Sequence, residues 1–131
     1  MTERPDIQRL TRRPQFLAAA RARSEARGAV VVQCLPRDDG SPHVGVGFTA
    51  TRKIGGAVVR NRAKRRLREA ARALLPRLAE PGCDYVLVAR MGTPARPWDR
   101  LLDDVASALT RLATQGAPPR TPRAPAPGQD S

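Results

Sequence analysis

The chain has 131 residues, with 24 lysines and arginines against 12 aspartates and glutamates, so its net charge is +12. One domain of this length can bury its own core without a metal or disulfides. The charge favours nucleic acid over an anionic membrane as the partner, because no segment combines its cations with the Trp, Phe and Leu of interfacial helices. The start, MTERPDIQRL, lacks the apolar core of a signal peptide, and no apolar run is long enough to span a membrane. We therefore expect a cytoplasmic protein with no membrane partner.

The N-terminal quarter of the chain predicts a loose start followed by a helix. Residues 1–9 are polar, and apolar residues then recur at helical spacing over roughly 11–22, with Thr11 as the candidate N-cap. Arg21, Arg23 and Arg27 follow as a basic patch.

Two strands are predicted next, joined by a turn. Residues 29–35 form a β-branched run that is typical of a buried strand, and Asp39-Gly40 is a hairpin signal. Residues 44–50 alternate, which predicts a second strand with Val44, Val46 and Phe48 on its core face. The other face carries Gly45, Gly47 and Thr49. Glycines there indicate a close approach, either by a packed helix or by an RNA backbone.

The segment 52–69, RKIGGAVVRNRAKRRLRE, holds a block of cations that no acid interrupts before Glu69. A helix is predicted after Gly55-Gly56, and Pro76 is expected to end or kink it. Its apolar stripe is Val59, Ala63, Leu67, Ala70 and Leu74. Because apolar residues interleave with the cations and acids are missing, a purely solvated face is less well supported than a surface that binds a polyanion.

The rest of the chain predicts one more strand, one more helix and a tail. The strand covers 84–89, and the helix covers roughly 99–113 with Asp99 as its N-cap. Residues 115–131, QGAPPRTPRAPAPGQDS, predict a disordered proline-rich tail after a domain over 1–114. The order of elements predicts the α/β class, a single compact domain with helices packed on one small mixed sheet.

The side chains indicate binding and not catalysis. Cys34 and Cys83 lie in apolar stretches and are expected to be buried free thiols, with a disulfide as the weaker alternative. His43 is the only histidine, and we interpret it as a surface residue beside a turn. The acids form no recognisable metal-binding set, so we predict no catalytic residue and no protein-only metal site.

Several segments together resemble the protein subunit of bacterial ribonuclease P. The matching segments are KIGGAVVRNRAKR at 53–65, VGVGFT at 44–49, YVLVAR at 85–90, Arg68-Glu69, and Arg9-Leu10 with Phe16. The similarity spans roughly residues 7–113. Arg-Asn-Arg by itself is a weak signal, but its position in this order of elements is specific.

The resemblance implies a function and a set of site residues. The family binds a catalytic RNA, which uses Mg²⁺ and removes the 5′ leader of precursor tRNA, so the protein is one subunit of an endoribonuclease. No obligate protein partner is expected. Carried over by position, the RNA-binding residues are Arg52, Lys53, Arg60, Asn61, Arg62, Lys64, Arg65 and Arg68. Phe16 corresponds to an aromatic that contacts the leader, although packing in the core is an equal alternative. The family's fold also implies a left-handed βαβ crossover, against the usual hand.

Two positions depart from the family pattern. Ala20 and Gln33 stand where a second and a third aromatic ring are frequent, so Phe16 would stack on the leader almost alone. Two other functions are alternatives to the one that the family resemblance implies. A ribosomal or general RNA-binding protein would share the basic helix alone, and a self-sufficient nuclease is disfavoured by the lone His43.

Overall fold

A computed structural model describes residues 6–114, which form five strands and three α-helices. The elements are β1 (Ile7–Arg9), α1 (Arg13–Ala20), β2 (Arg23–Arg27), β3 (Val30–Pro36), β4 (Val44–Thr49), α2 (Ala57–Leu78), β5 (Cys83–Ala89) and α3 (Trp98–Thr114). Short 3₁₀ turns cover Arg52–Ile54 and Thr93–Ala95. The proline-rich tail predicted over 115–131 lies outside the described residues.

All five strands belong to one mixed sheet in the order β1-β4-β5-β3-β2. β4 is parallel to both β1 and β5, while β3 is antiparallel to β5 and β2. The parallel neighbours β4 and β5 are joined through α2, which makes a βαβ crossover. The sheet confirms the predicted α/β class, and the left hand of the crossover stays a prediction.

The helices pack on both faces of this sheet and create two separate clusters of buried side chains. The larger cluster joins α2 and α3 to one face, with Leu67, Leu101 and Leu109 against strand residues such as Val32 and Leu87. The smaller cluster lies under α1 and contains Leu10, Ala19 and Val86. Val86 and Leu87 are consecutive in β5 and therefore point to opposite faces. α1 is thus separated from α2 by the thickness of the sheet.

The predicted apolar stripe of α2 is the one that the sheet buries. Ala63, Leu67 and Ala70 are fully buried and Leu74 nearly so, while Val59 at the start of the helix is half-buried. Pro76 lies inside the helix, which continues to Leu78. Proline removes one backbone donor, but so close to the C-terminus only a single turn is affected.

Several local predictions were wrong because partners distant in sequence decide them. β1 and β2 were not predicted as strands, since one has three residues and the other, RSEAR, is a polar edge strand. Asp39-Gly40 is not a hairpin turn, because β5 lies between β3 and β4 in the sheet. The loop instead crosses the start of β5, where Gly82 N–H donates to the Pro42 carbonyl over 3.0 Å.

The predicted helix caps were also wrong. α1 begins one residue later than expected, with Arg12 and not Thr11 at its N-cap position. Gln15 Oε1 there accepts from the backbone N–H groups of Thr11 and Arg12, at 3.1 and 2.9 Å. α3 begins at Trp98, so Asp99 lies in the first turn and is not the cap.

The glycine face of β4 is covered by protein, which favours the packed-helix alternative. A Cβ on Gly47 would lie 2.5 Å from Phe16 Cε2, and a Cβ on Gly45 would overlap the Asp84 carboxylate and lie 2.7 Å from Leu10 Cδ2. The missing side chains therefore make room for α1, the segment before it and a buried ion pair.

We predict that Gly45→Ala lowers the free energy of unfolding by about 1–3 kcal/mol, the usual cost of overpacking. Asp84 cannot retreat, because it is buried and its Oδ1 accepts from the Arg37 guanidinium over 2.7 Å. Urea unfolding measures the effect. Gly92→Ala is the matched control, since the nearest atom to its Cβ is 3.9 Å away. Equal stability of the two variants would contradict the prediction.

Cys34 and Cys83 are buried free thiols, as predicted. A hydrogen bond to Cys83, together with burial, raises the pKa of the Cys34 thiol. Cys34 therefore stays protonated at neutral pH and serves as a small core side chain.

No helix within residues 6–114 is both long and apolar enough to cross a membrane.

Candidate nucleic-acid interface

The structure brings the eight predicted RNA-binding residues together around the first half of α2. The 3₁₀ turn before the helix carries Arg52 and Lys53, and the first four turns of α2 carry the other six. We call these residues the basic face: Arg52, Lys53, Arg60, Asn61, Arg62, Lys64, Arg65 and Arg68. Gly55, at φ 140°, links the turn to the helix in a conformation that other residues rarely adopt.

The cations of the basic face are not neutralised within the described part of the chain. None of the ion pairs found in residues 6–114 includes any of them. Arg52, Lys53, Arg62 and Arg65 are exposed, as is Asn61, while Arg60, Lys64 and Arg68 are half-buried. Positive charge concentrated in this way, without acids between the cations, attracts a polyanion and releases its counterions.

The two flanks of α2 are each held by an arginine against an aromatic ring. On one flank the guanidinium carbon of Arg68 lies 5.9 Å from the centroid of Phe48 in β4. On the other flank the guanidinium carbon of Arg66 lies 5.9 Å from the centroid of Trp98. The exposed cations of the helix lie between these flanks, and each contact ties one edge of this surface to a neighbouring element.

Arg66 belongs to the same run of cations but has a structural role that the sequence did not reveal. Its guanidinium donates to the carbonyls of Thr93, Pro94 and Arg96 at 2.8, 3.0 and 2.6 Å. Arg62, one turn earlier, donates its Nε–H to the Pro94 carbonyl over 3.3 Å. Charge alone could not separate these two arginines. Only the position of the loop before α3 shows that Arg66 is an internal anchor, whereas Arg62 remains exposed.

A network around Asp104 holds that loop in place. Asp104 is buried, and its carboxylate accepts from Ala29 N–H at 2.9 Å and from Arg96 Nε–H and Nη2–H at 2.9 and 3.0 Å. Thr93 donates its hydroxyl to the Ala29 carbonyl over 2.6 Å. Through the bond from Ala29, Asp104 ties α3 to the start of β3.

Phe16 lies on the opposite side of the sheet from the basic face. It is half-buried in α1, with its ring over Gly47 and against the small cluster that contains Leu10 and Val86. Leu17 beside it is 48% exposed. Packing buries part of the Phe16 ring and leaves the rest exposed to solvent. The contact of Phe16 with a leader therefore stays a prediction.

The contacts of His43 and the grouping of the acidic residues bear on whether the protein could cleave RNA by itself. His43 is half-buried, with Nδ1 2.7 Å from Ser41 Oγ and 3.2 Å from an Arg37 guanidinium nitrogen. It is therefore part of a hydrogen-bond network within the loop, beside the turn where the sequence placed it. Across residues 6–114, no group of three or more His, Cys, Asp or Glu residues could hold a metal ion.

Comparisons with known proteins agree on one family. The family model described as Ribonuclease P matches residues 5–113. A ribonuclease P protein component of Caulobacter vibrioides is 62% identical over 107 residues, which covers 82% of this chain and 72% of the relative. The corresponding protein of Ruegeria pomeroyi is 53% identical over 105 residues, covering 79% of this chain and 84% of the relative.

Solved structures show the same fold at lower identity. The RNase P protein of Thermotoga maritima aligns with a TM-score of 0.66 and 25% identity, covering 79% of this chain and 96% of that one. The Staphylococcus aureus RNase P protein aligns with a TM-score of 0.67 and 21% identity, covering 80% and 94%. Because the family model covers most of the chain and both of these relatives are more than 50% identical to it over the aligned residues, the chain belongs to the ribonuclease P protein component family.

Proposed function

We propose that this protein binds the catalytic RNA of ribonuclease P through its basic face and supports removal of the 5′ leader from precursor tRNA in the cytoplasm. The observation that carries the proposal is the set of cations on α2, which lie together and have no acidic partner within the described residues. Phosphates are the groups that such a surface binds best.

In this proposal the RNA subunit and the protein subunit have different roles, which follow from the chemical groups that each one offers. The described residues offer neither a His-based acid–base pair nor a carboxylate cluster for a metal. In the proposal the RNA therefore supplies the active site and uses Mg²⁺, while the protein contributes positive charge and positioning. The contacts that orient α2, through Arg66 and Arg68, keep that charge at a fixed place on the surface.

The experiment that tests the proposal compares cleavage of a precursor tRNA by the protein alone, by a ribonuclease P RNA alone, and by both. We expect no cleavage by the protein alone, and cleavage by the pair at a lower Mg²⁺ concentration than the RNA needs by itself. A general RNA-binding protein would leave the Mg²⁺ requirement unchanged. Cleavage by the protein alone would show a self-sufficient nuclease. Either result contradicts the proposal.

The predicted leader contact of Phe16 is tested by Phe16→Leu, which keeps most of the apolar volume and removes the aromatic face. If Phe16 stacks on the leader, the holoenzyme loses about 1–3 kcal/mol of affinity for precursor tRNA, since that is the usual contribution of one stacked base. The affinity of the Phe16→Leu holoenzyme for mature tRNA, which has no leader, stays the same as that of the wild type. Binding of both tRNAs is measured by fluorescence anisotropy.

The control for this prediction is Leu17→Ala, on the neighbouring exposed position of α1. Equal losses for precursor and mature tRNA, or a clear fall in melting temperature for Phe16→Leu, would assign Phe16 to the core and not to the leader.

A further inference from the structure

The only aromatic ring of this chain that is well exposed lies next to the basic face. The chain has two Phe, one Tyr and one Trp, and all four fall within the described residues. Tyr85 is buried and both phenylalanines are half-buried, whereas Trp98 is 41% exposed at the first position of α3. An indole that keeps part of its ring in water beside unpaired cations is the kind of group on which a nucleic-acid base can stack.

The ring of Trp98 is held in place by a partner that is itself anchored. The Arg66 guanidinium lies over the ring at 5.9 Å from the centroid and donates to three backbone carbonyls of the preceding loop. One face of the indole is therefore covered by a cation that cannot easily move. The exposed remainder of the ring is preorganised, which lowers the entropic cost of stacking a further group on it.

The surroundings of Trp98 continue the basic face. Val58, Arg62 and Arg66 are spaced four residues apart in α2 and so share one side of the helix, with Val58 82% exposed. Arg62 contacts the Pro94 carbonyl in the loop that leads to Trp98. From Val58 to Arg66 the helix rises by about 12 Å at 1.5 Å per residue. The surface formed by this side of α2 and the start of α3 thus carries two exposed apolar side chains, Val58 and Trp98. Between them lies Arg62, a cation with no acidic partner within residues 6–114.

We propose that Trp98 is a stacking site for an unpaired base of the RNA that the basic face binds. The inference rests on the proposed function, and it adds a base contact outside the basic helix to the phosphate contacts. A nucleotide fits better than a protein side chain, because its flat base suits the indole while its phosphate suits Arg62. Every base has such a face, so the contact tolerates sequence differences.

Since Trp98 is the single tryptophan of the chain, its fluorescence reports this site alone. The full-length protein is titrated with a ribonuclease P RNA transcript, and separately with a single-stranded RNA oligonucleotide and an abasic oligonucleotide of the same length. We expect the emission to be quenched by the transcript and by the base-bearing oligonucleotide. The abasic strand should bind at low salt through its phosphates and leave the emission unchanged.

Substitutions of Trp98 measure how much the stacking contact contributes to the affinity for RNA. Trp98→Leu is expected to weaken binding of the transcript by about 5–150-fold, the equivalent of about 1–3 kcal/mol, without changing the slope of affinity against salt. Trp98→Phe keeps a ring and should recover most of the affinity. If Trp98→Leu fails to fold, the wild-type titration and Trp98→Phe still decide the matter.

The proposal is overturned if saturating transcript leaves the emission unchanged, if the abasic strand quenches it equally, or if Trp98→Leu binds the transcript like the wild type. Emission that depends on protein concentration without RNA would assign Trp98 to a contact with a second copy and would also overturn it. These outcomes are separate from the proposed function, which fails if the protein leaves the Mg²⁺ requirement of the RNA unchanged or cleaves precursor tRNA by itself.

Discussion

Asp104→Ala is expected to lower the free energy of unfolding by about 3 kcal/mol. Removing one partner of a buried ion pair leaves the other charge without compensation, which typically costs about 3–5 kcal/mol. The lower end applies because the Arg96 side chain keeps 31% exposure and can reach water. The buried Ala29 N–H would also lose its acceptor, at 2.9 Å in the native protein.

The effect should reach beyond this pair, because the Asp104 carboxylate also fills the space above Gly28. Gly28 has φ 48°, and a Cβ there would overlap the Asp104 carboxylate. The turn between β2 and β3 is therefore shaped around this side chain. The Arg96 carbonyl, in the same loop, accepts a bond from Arg66 at 2.6 Å. Loss of Asp104 should thus loosen the support of α2 as well as that of α3.

Denaturant unfolding followed by circular dichroism measures the change, with Asp103→Ala as the control. Asp103 is the preceding residue of α3 and is exposed, so its removal should stay within about 0.5 kcal/mol. A loss below about 1 kcal/mol for Asp104→Ala would mean that water replaces the carboxylate, and that the network does not organise the loop.

The double variant Arg62→Ala/Arg65→Ala is expected to weaken binding of a ribonuclease P RNA and to make its salt dependence shallower by about two units. Each lost phosphate contact removes about one unit of slope in log affinity against log salt. Both side chains are exposed and neither belongs to an ion pair within residues 6–114. The fold should survive, because the bond from Arg62 to Pro94 is long, at 3.3 Å.

Filter binding over a range of salt concentrations gives the slope. Arg111→Ala is the control for loss of charge, since Arg111 is an exposed arginine in the last turn of α3, paired with Glu25 at 3.2 Å. An unchanged slope in the double variant, or the same loss for Arg111→Ala, would remove Arg62 and Arg65 from the RNA interface.

The features that could be predicted from the sequence are those whose conformation depends on residues close together in the chain. The stripe from Ala63 to Leu74 faces the sheet because residues three and four apart share one side of a helix. The strand over Val30–Pro36 follows from an unbroken β-branched run, and the β4 strand from strict alternation. The basic-face residues of α2 gather for the same local reason, since their spacing and the lack of acids are properties of a single helix.

The tertiary structure decided what depends on residues far apart in sequence. Asp104 bonds to a residue 75 positions away, and Arg66 to carbonyls 27 to 30 positions away, so no local pattern distinguishes either from a solvated charge. β1 and β2 are strands only because β4 and β3 offer unpaired edges to them. The place of β5 between β3 and β4 likewise follows from the crossover through α2 and not from the turn at Asp39. Composition and periodicity therefore predicted the cationic helix of this protein, while long-range packing determined which of its arginines hold the fold and which stay exposed.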